Sequence, residues 1–268
     1  MGNKVILITG ISSGFGKQTA RLLAGKGHSV YGTIRKETEH LAGVNYLTMD
    51  LTDSISIHQA VKTVIDKEGR IDVLVNNAGM HTGGPAENLP DDYLRLQLET
   101  NFTGMARITR AVLPGMRKQG GGMIINFSSI GGLMGLPFQA YYSAAKFATE
   151  GFSEALRMEV KKFNIKVVLI NPGDFNTNNT SNRRGFLVPA TENDPYDFAR
   201  TLAVIEKEEL HGSKPEVLAA KITEIVDLRN PRNRYIISSF EQKLAVFLHW
   251  LLPGKLFDKI LMDFYKVK

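Results

Sequence analysis

The feature that most constrains the fold is a glycine-rich loop placed directly between an apolar strand and a helix. Lys4-Val-Ile-Leu-Ile8 is a short apolar run, and the loop Thr9-Gly10-Ile-Ser-Ser-Gly14-Phe-Gly16 follows it. Glycine lets a backbone approach a ligand closely, and the N-terminus of a helix offers free N–H groups and positive potential. This order is typical of a site for the pyrophosphate of a dinucleotide. The spacing differs from the G-x-G-x-x-G fingerprint, and an ordinary tight turn is the alternative.

Short apolar runs alternate with amphipathic segments along most of the chain. Uninterrupted apolar strands such as Lys166-Val-Val-Leu-Ile170 indicate burial on both faces of a sheet. Strands that alternate with helices favour a parallel, doubly wound α/β fold. We predict a single Rossmann-like domain over residues 1–268 with a parallel sheet of about seven strands, because no repeat, low-complexity tract or linker divides the chain. The predicted strands are Val5–Thr9, Ser29–Ile34, Asn45–Met49, Val73–Asn76, Gly122–Ser128, Ile165–Asn171 and Arg234–Ser238, and the predicted helices lie near 15–26, 54–69, 91–118, 140–163 and 213–228.

Residues 174–212 interrupt this alternation. They are rich in Asn, Thr, Arg, Gly and Pro, and a helix-like piece follows around Asp197–Glu209. An excursion of this length in a compact domain is usually a functional loop or lid. It follows a strand, where open α/β sheets form their ligand crevice. We therefore predict a substrate loop over residues 174–212.

An apolar extension over residues 240–268 ends the chain. Leu244–Leu252 and the amphipathic Leu256–Tyr265 are separated by Pro253-Gly254. Three interpretations are kept, in order of preference: a lid over a large apolar substrate, a subunit contact, and an anchor on a membrane surface. Ordinary packing into the hydrophobic core would produce the same sequence pattern.

Composition narrows the classes of function. The chain has no cysteine, so it has neither disulfides nor thiolate metal ligands, and no His or carboxylate cluster has zinc spacing; we expect no metal. The net charge is +6, but the basic residues are spread along the chain, so we do not expect nucleic-acid binding. No apolar run reaches the ~20 residues that span a bilayer. Met1 leads at once into a strand, leaving no room for a signal peptide, and we expect a cytoplasmic protein.

A tyrosine and a lysine stand four residues apart in Tyr142-Ser-Ala-Ala-Lys146. Residues at this spacing share one face of a helix, so the ammonium group lies beside the phenol. A phenol has an ordinary pKa of about 10, and a neighbouring cation favours the phenolate. The pair therefore makes a usable acid and base. Together with a dinucleotide site, it indicates carbonyl reduction or alcohol oxidation.

The end of the second predicted strand bears on the choice of cofactor. Enzymes that use NAD place an acid there for the ribose hydroxyls, whereas the 2′-phosphate of NADP needs a cation. Here the sequence reads Ile34-Arg35-Lys36, with no acid before Glu37. Since an Arg holds phosphate through a planar fork of donors, we favour NADP(H) over NAD(H). Surface charge alone is the other explanation of Arg35 and Lys36.

Polar and small residues follow the third and fourth predicted strands. Of the two acids after the third strand, Asp53 is better placed to cap the next helix. That leaves Asp50, beside Leu51, to contact the adenine. Asn76-Asn-Ala-Gly79 ends the fourth strand, where Asn and small residues suit a close turn against the cofactor.

These motifs together resemble the short-chain dehydrogenase/reductase family, over residues 4 to about 177. They are Thr9-Gly-x-x-x-Gly-x-Gly16, Asn76-Asn-Ala-Gly79, Asn101, Ser129, Tyr142-x-x-x-Lys146 and Pro172-Gly-x-x-x-Thr177, in the family's order and spacing. Residues 129–151 are similar to the oestrogenic 17β-hydroxysteroid dehydrogenases and their retinol-dehydrogenase relatives. The Ile34-Arg35 pair resembles the NADP-binding strand end of those enzymes.

The resemblance implies a catalytic tetrad. Tyr142 exchanges the proton with the substrate oxygen, and Lys146 binds the nicotinamide ribose and favours the phenolate. Ser129 hydrogen-bonds the carbonyl oxygen, and Asn101 holds a water that links Lys146 to solvent. The cofactor-binding residues implied by the motifs are Gly10, Ser12, Ser13, Gly14, Phe15, Gly16, Arg35, Asp50, Leu51, Asn77, Ala78, Gly79, Tyr142, Lys146, Pro172, Gly173 and Thr177.

Each catalytic assignment has a competitor nearby. Tyr141 is adjacent to Tyr142 but has no lysine four residues on, and the family's 13-residue interval to Tyr142 favours Ser129 over Ser128. Asn101 has the alternative of bonding to backbone within a helix. His81 follows Asn-Ala-Gly-Met and is a weaker candidate for the pocket wall.

The sequence therefore predicts an NADP(H)-dependent oxidoreductase that interconverts a ketone or aldehyde and an alcohol on a small apolar molecule, which is steroid-like, retinoid-like or long-chain. One alternative is a reductase of small or carrier-bound ketones. Another is a non-catalytic NADP-sensing or scaffold protein on the same fold. The family also implies a homodimer or homotetramer paired through the helices near 91–118 and 140–163.

Overall fold

Seven parallel strands form the centre of the molecule. The computed structural model describes residues 2–177 and 195–267, and within them the strand order is β3-β2-β1-β4-β5-β6-β7. The strands are β1 Val5–Ile8, β2 Ser29–Ile34, β3 Val44–Thr48, β4 Val73–Asn76, β5 Gly122–Phe127, β6 Ile165–Pro172 and β7 Arg234–Ile237. All seven predicted strands are confirmed to within one residue at each end. This is the predicted doubly wound Rossmann-like sheet.

Helices cover both faces of the sheet in the described part of the chain. They are α1 Gly14–Gly25, α2 Ser54–Glu68, α3 Asp91–Leu98, α4 Gly104–Lys118, α5 Ala140–Val160, α6 Phe198–His211, α7 Pro215–Asp227, α8 Phe240–Leu251 and α9 Gly254–Tyr265. None of these helices is both long enough and apolar enough to cross a bilayer. Residues 178–194 of the predicted substrate loop lie outside the described residues.

The helical segment predicted near 91–118 is confirmed, with one irregularity inside it. The structure divides it into α3 and α4 with a π-helical turn, Glu99–Thr103, between them. Within that turn the Asn101 side chain bonds to the backbone of Met80 in a neighbouring loop. This contact from outside the helix occupies the widened turn, and hydrophobic periodicity gives no sign of it.

The core has two layers because each strand is apolar on both faces. Ile6 and Ile8 of β1 pack with α1 and α7, whereas Val5 and Leu7 pack with α2, α4 and α5. Successive side chains of a strand point to opposite faces, so a continuous apolar run fills both layers. A third cluster joins Phe257 of α9 to the loop after β5.

The parallel sheet brings its loops to one edge. All seven strands run in the same direction, so their carboxyl ends lie together. The loop after β1 carries the glycines, and Arg35 follows β2. Ser129 follows β5, and Gly173 follows β6. The fold thus collects at one edge the motifs that are scattered along the sequence.

Candidate active site

A cleft of about 360 Å³ opens at this edge of the sheet. Almost every residue predicted to bind a cofactor or to act in catalysis lines it. They are Gly10, Ser12, Ser13, Gly14, Phe15, Arg35, Asp50, Leu51, Asn77, Ala78, Gly79, Ser129, Tyr142, Lys146, Pro172, Gly173 and Thr177. Gly16 and Asn101 are not part of this lining.

The glycine loop is shaped for a phosphate group. Gly14 begins α1 with φ of +56°, and nothing stands within 4 Å of where its Cβ would lie. Its open side therefore faces a cleft at the N-terminus of a twelve-residue helix, where free N–H groups favour an anion. Gly16 acts differently, because a Cβ there would lie 2.2 Å from the Gly10 carbonyl oxygen. Gly16 thus lets α1 pack against its own loop.

The loops after β1 and β4 are clamped together by Thr9 and Asn77. The Thr9 hydroxyl oxygen accepts hydrogen bonds from the backbone N–H groups of Asn77 (3.0 Å) and Ala78 (2.9 Å). In return, the Asn77 amide donates to the carbonyl oxygens of Thr9 (2.9 Å) and Gly10 (2.8 Å). The Asn77 side chain is thereby committed to holding the loop, and its contact with a cofactor stays a prediction.

The end of the cleft beside β2 and β3 carries the residues predicted to bind the adenosine part of the cofactor. Arg35 lines the cleft beyond β2, whereas Lys36 is not among the lining residues. Asp53 accepts from the Ile55 N–H at 2.8 Å and caps α2, as predicted. Contact of Asp50 with the adenine stays a prediction. The Asp50 carboxylate accepts from the backbone N–H and the hydroxyl of Thr52. Those bonds fix its orientation at the cleft wall.

Tyr142 and Lys146 meet on one face of α5. The Lys146 Nζ lies 5.7 Å from the centre of the Tyr142 ring and donates a hydrogen bond to the Phe127 carbonyl oxygen at 2.9 Å. Burial lowers the pKa of Lys146 to about 8, against the opposing negative charge of Glu150. A lysine with this pKa can both hold and release a proton near neutral pH.

The geometry favours Ser129 over Ser128. The Ser129 hydroxyl oxygen accepts from the Gly131 N–H at 3.0 Å. A Cβ at Gly131 would stand 3.5 Å from that oxygen and 3.4 Å from Cε1 of Tyr142, so both side chains border Gly131. The Ser128 hydroxyl instead donates to the Lys146 backbone carbonyl oxygen at 3.5 Å. Similarly, the Tyr141 hydroxyl is engaged away from Tyr142, with the Ala86 carbonyl oxygen at 3.0 Å.

Asn101 lies behind the catalytic pair. Its Oδ1 accepts from the Met80 N–H at 2.7 Å, and its Nδ2 donates to the Met80 carbonyl oxygen at 2.8 Å. A Cβ at Gly79 would lie 3.1 Å from that Oδ1 and 3.9 Å from the Lys146 Nζ. Asn101 therefore bonds to backbone, which was the alternative to a catalytic role. The backbone is that of Met80 in the loop after β4, not that of its own helix. The water link to solvent stays a prediction.

His81 lies closer to Tyr142 than the sequence suggested. Its ring lies 4.3 Å from the Tyr142 ring, centre to centre, with 33° between the planes, and it is buried in the cleft wall. Its position after the β4 turn was the one available signal. Gln139, Asp174, Glu208 and Tyr265 also line the cleft and were missed. They come from segments whose approach to the site depends on long-range packing.

The end of the chain packs over the substrate side of the cleft. Phe257 and Tyr265 of α9 are buried against a cluster that includes Ile130, Leu136 and Ile205. Tyr265 and Ile205 also line the cleft. Of the three interpretations of the apolar extension, this arrangement favours a cover over the site. No group of three or more His, Cys, Asp or Glu side chains among the described residues is arranged to hold a metal ion.

Comparison with known proteins identifies relatives of this chain. The model of the family described as short chain dehydrogenase matches residues 4–186. A 3-ketodihydrosphingosine reductase from Bacteroides thetaiotaomicron is 48% identical over 100% of both chains. An NADPH-dependent 3-dehydrocapnine reductase from Ornithobacterium rhinotracheale is 31% identical over 97% of this chain and 95% of its own. The crystal structure of a short-chain dehydrogenase from Streptomyces avermitilis superposes with a TM-score of 0.81 at 31% identity, covering 99% of this chain and 97% of its own. The chain belongs to the short-chain dehydrogenase family.

Proposed function

We propose that this protein is an NADPH-dependent reductase of a ketone on a long-chain amphiphile, with 3-ketodihydrosphingosine as the first substrate to test. One observation carries the proposal. Ser129, Tyr142 and Lys146 line the same cleft as the phosphate loop, and its wall continues into apolar side chains beneath α9. The site thus combines a proton donor, a dinucleotide cradle and an apolar wall.

Three residues of the chain have distinct roles in the proposed reaction. NADPH, when bound, supplies the hydride that adds to the carbonyl carbon. The Tyr142 hydroxyl gives its proton to the carbonyl oxygen, so the ketone becomes an alcohol. The Ser129 hydroxyl donates a hydrogen bond to the same oxygen as negative charge develops on it. The Lys146 ammonium stabilises the Tyr142 phenolate that remains.

Arg35 is the residue proposed to select NADP(H). It stands at the carboxyl end of β2 in the cleft lining, where a guanidinium can bind the 2′-phosphate through two donors. Arg35 and Lys146 are the two Lys or Arg side chains among the described lining residues. The NADPH-dependent relative is consistent with this preference.

Two features favour a long-chain ketone over the steroid-like or retinoid-like substrates that the 129–151 segment also suggests. The wall of the cleft beyond Ser129 is apolar, with Ile130, Leu136 and Ile205 covered by α9. The relative that is identical at 48% of positions over its full length is named for a long-chain amino ketone. The 129–151 segment borders the reacting atoms, so it bears on the reaction more than on the substrate.

We also propose a cytoplasmic homodimer or homotetramer assembled through α3, α4 and α5, the helices of 91–118 and 140–163. Phe147 and Met158 on α5 are 44% and 74% exposed, so both apolar side chains are open to contact with another subunit. A second copy packed against α5 would cover them. Light scattering of the purified protein measures the mass of the particle in solution. The mass of a single chain at every protein concentration would contradict the assembly.

A panel of ketones tests the proposed activity. NADPH consumption is followed with 3-ketodihydrosphingosine, a steroid ketone, retinal and a short acyl ketone, with Tyr142→Phe as the blank. Turnover confined to the long-chain ketone is the expected result. Preference for short or carrier-bound ketones would contradict the substrate class, and tight NADPH binding without turnover of any member would favour a sensor or scaffold.

A further inference from the structure

The outer face of α8 is apolar. Phe240, Leu244, Phe247 and Leu251 recur at intervals of three or four residues, so their side chains form one stripe along the helix. All four are exposed, and so is Trp250 beside them, 82% of which is accessible to solvent. Helices on a protein surface normally turn such a stripe toward the core. Here the stripe points away from the core.

The inner face of α8 is apolar as well. Ala245, Val246 and Leu248 pack against the cluster that contains Phe257 of α9. A helix that is apolar on all sides is usually buried on all sides. Because α8 is covered on its inner face only, its outer face has the composition of a contact surface.

A second apolar stripe is exposed on α9. Leu256, Ile260 and Phe264 follow one another at four-residue intervals, and all three are exposed. Nine of the sixteen exposed large apolar side chains among the described residues lie between positions 240 and 264. Single exposed apolar residues are normal, whereas a concentration of them marks an interaction site. We call the two stripes, together with Trp250, the C-terminal apolar surface.

Lysines border the C-terminal apolar surface. Lys243 lies between Phe240 and Phe247 along the stripe of α8, and Lys255 and Lys259 directly precede two apolar residues of the stripe of α9. All three lysines are exposed, and none of them has an ion pair within the described part of the chain. Residues 240–267 contain four lysines and three acids, which leaves a small positive excess. A lysine can lay its alkyl stem along an apolar surface while its ammonium reaches an anion.

A lipid bilayer fits this surface better than a second copy of the chain. Two copies joined through the stripe of α8 would each bring Lys243 into an apolar interface, where an unpaired charge is costly. At a bilayer the ammonium groups reach the lipid phosphates, while phenylalanine and leucine side chains enter the boundary of the acyl chains. Tryptophan is enriched at that boundary, which suits the exposed Trp250.

We propose that the C-terminal apolar surface binds the face of a bilayer that contains anionic lipids. The two helices have twelve residues each, well below the ~20 that span a bilayer, so they lie in the plane of its surface. The inner face of α9 covers the cleft, and docking therefore holds the cleft beside the membrane, where a long-chain amphiphile resides. The docking itself does not depend on the proposed reductase activity.

Trp250 makes the docking directly measurable, because it is the one tryptophan of the chain. Its emission is recorded while vesicles are added to the full-length protein. The vesicles consist of phosphatidylcholine alone or of an equal mixture with phosphatidylglycerol, with and without bromine on the acyl chains, which quenches a tryptophan in contact with them. The test variants are Phe247→Gln and Lys243→Gln. Ile55→Gln, which removes an exposed apolar side chain from α2, is the matched control.

We expect the anionic vesicles to shift the Trp250 emission to the blue and the brominated lipids to quench it. The apparent Kd for these vesicles should rise about tenfold in Phe247→Gln, because a buried phenylalanine is lost, and about fivefold in Lys243→Gln. It should stay within about twofold in Ile55→Gln.

Three results would overturn the inference. They are the absence of quenching by brominated lipids, equal binding to the vesicles of phosphatidylcholine alone, and equal losses in Phe247→Gln and Ile55→Gln. A lipid-free oligomer that Phe247→Gln splits into single chains would assign the surface to a second copy and overturn it as well. None of these measurements involves turnover, so their outcome is separate from that of the proposed function.

Discussion

The Lys146 Nζ lies 5.7 Å from the centre of the Tyr142 ring, on the same face of α5. The Phe127 carbonyl oxygen holds the ammonium in place from the end of β5. The helix and the sheet therefore fix the two side chains independently of any ligand. This rigidity means that removing one partner should change the chemistry more than the structure.

Tyr142→Phe should lower turnover of the ketone by a factor of about 10²–10⁴, because the proton donor is removed while the ring remains. NADPH affinity should stay within about threefold, as judged by fluorescence titration. Tyr141→Phe is the matched control, since its hydroxyl bonds to the Ala86 carbonyl oxygen away from Tyr142. Activity of Tyr142→Phe within a few-fold of the wild type would refute the assignment of the acid.

Lys146 should make the stability of the apoprotein depend on pH. Its pKa falls from the ordinary 10.5 to about 8 in the folded protein, so between these values the unfolded chain binds more protons at this residue. Stability attributable to Lys146 should therefore be lowest below pH 8 and rise by up to about 1.4 kcal/mol per pH unit toward pH 10.5.

Lys146→Met isolates this contribution. The difference in unfolding free energy between the Met variant and the wild type is measured by urea denaturation from pH 7 to pH 10.5. The variant should exceed the wild type in unfolding free energy most at pH 7. This advantage should shrink by about 3 kcal/mol between pH 7 and pH 10.5. A difference that stays constant across the range would mean that burial does not perturb this lysine.

Arg35→Asp should shift the ratio of kcat/KM from NADPH toward NADH by tenfold or more, equivalent to about 1.4 kcal/mol or more. The carboxylate repels the 2′-phosphate and accepts from the ribose hydroxyls of NADH. Lys36→Asp carries the same change of charge outside the cleft lining and should shift the ratio much less. Similar shifts in the two variants would point to general surface charge.

Asn77→Ala should loosen the phosphate loop. The substitution removes the hydrogen bonds from the Asn77 amide to the Thr9 and Gly10 carbonyl oxygens, at a cost of about 1–3 kcal/mol in unfolding free energy. NADPH affinity should fall about tenfold with it. Asn45→Ala, which removes an amide bond to the Val30 carbonyl oxygen in β2, should lose stability without losing NADPH affinity. Comparable affinity losses in both would contradict a specific role for the clamp.

Sequence reasoning succeeded where one local pattern determines one structure. The run Val5–Ile8 is short and wholly apolar, which favours a buried strand, and the glycines directly after it marked the loop. The four-residue spacing of Tyr142 and Lys146 likewise sufficed to place both on one face of α5. These relations hold within a single element or at its end.

Contacts between segments that are distant in the sequence could not be predicted from the sequence pattern. The π-helical turn around Asn101 depends on a partner 21 residues earlier in the chain. Tyr265 and Glu208 reach the cleft only because α9 and α6 pack against the loop after β5. Their segments were predicted to lie on the substrate side, but amphipathic periodicity alone did not single out these two residues.

Transfer of an isotope tests the central claim most directly. The protein is incubated with 3-ketodihydrosphingosine and NADPH that carries deuterium at the transferred position, and the lipid product is examined by mass spectrometry. The account predicts an alcohol with one deuterium on the former carbonyl carbon, formed by the wild type and the Tyr141→Phe variant and not by Tyr142→Phe. An unreduced ketone with the wild type, although NADPH is bound, would contradict it.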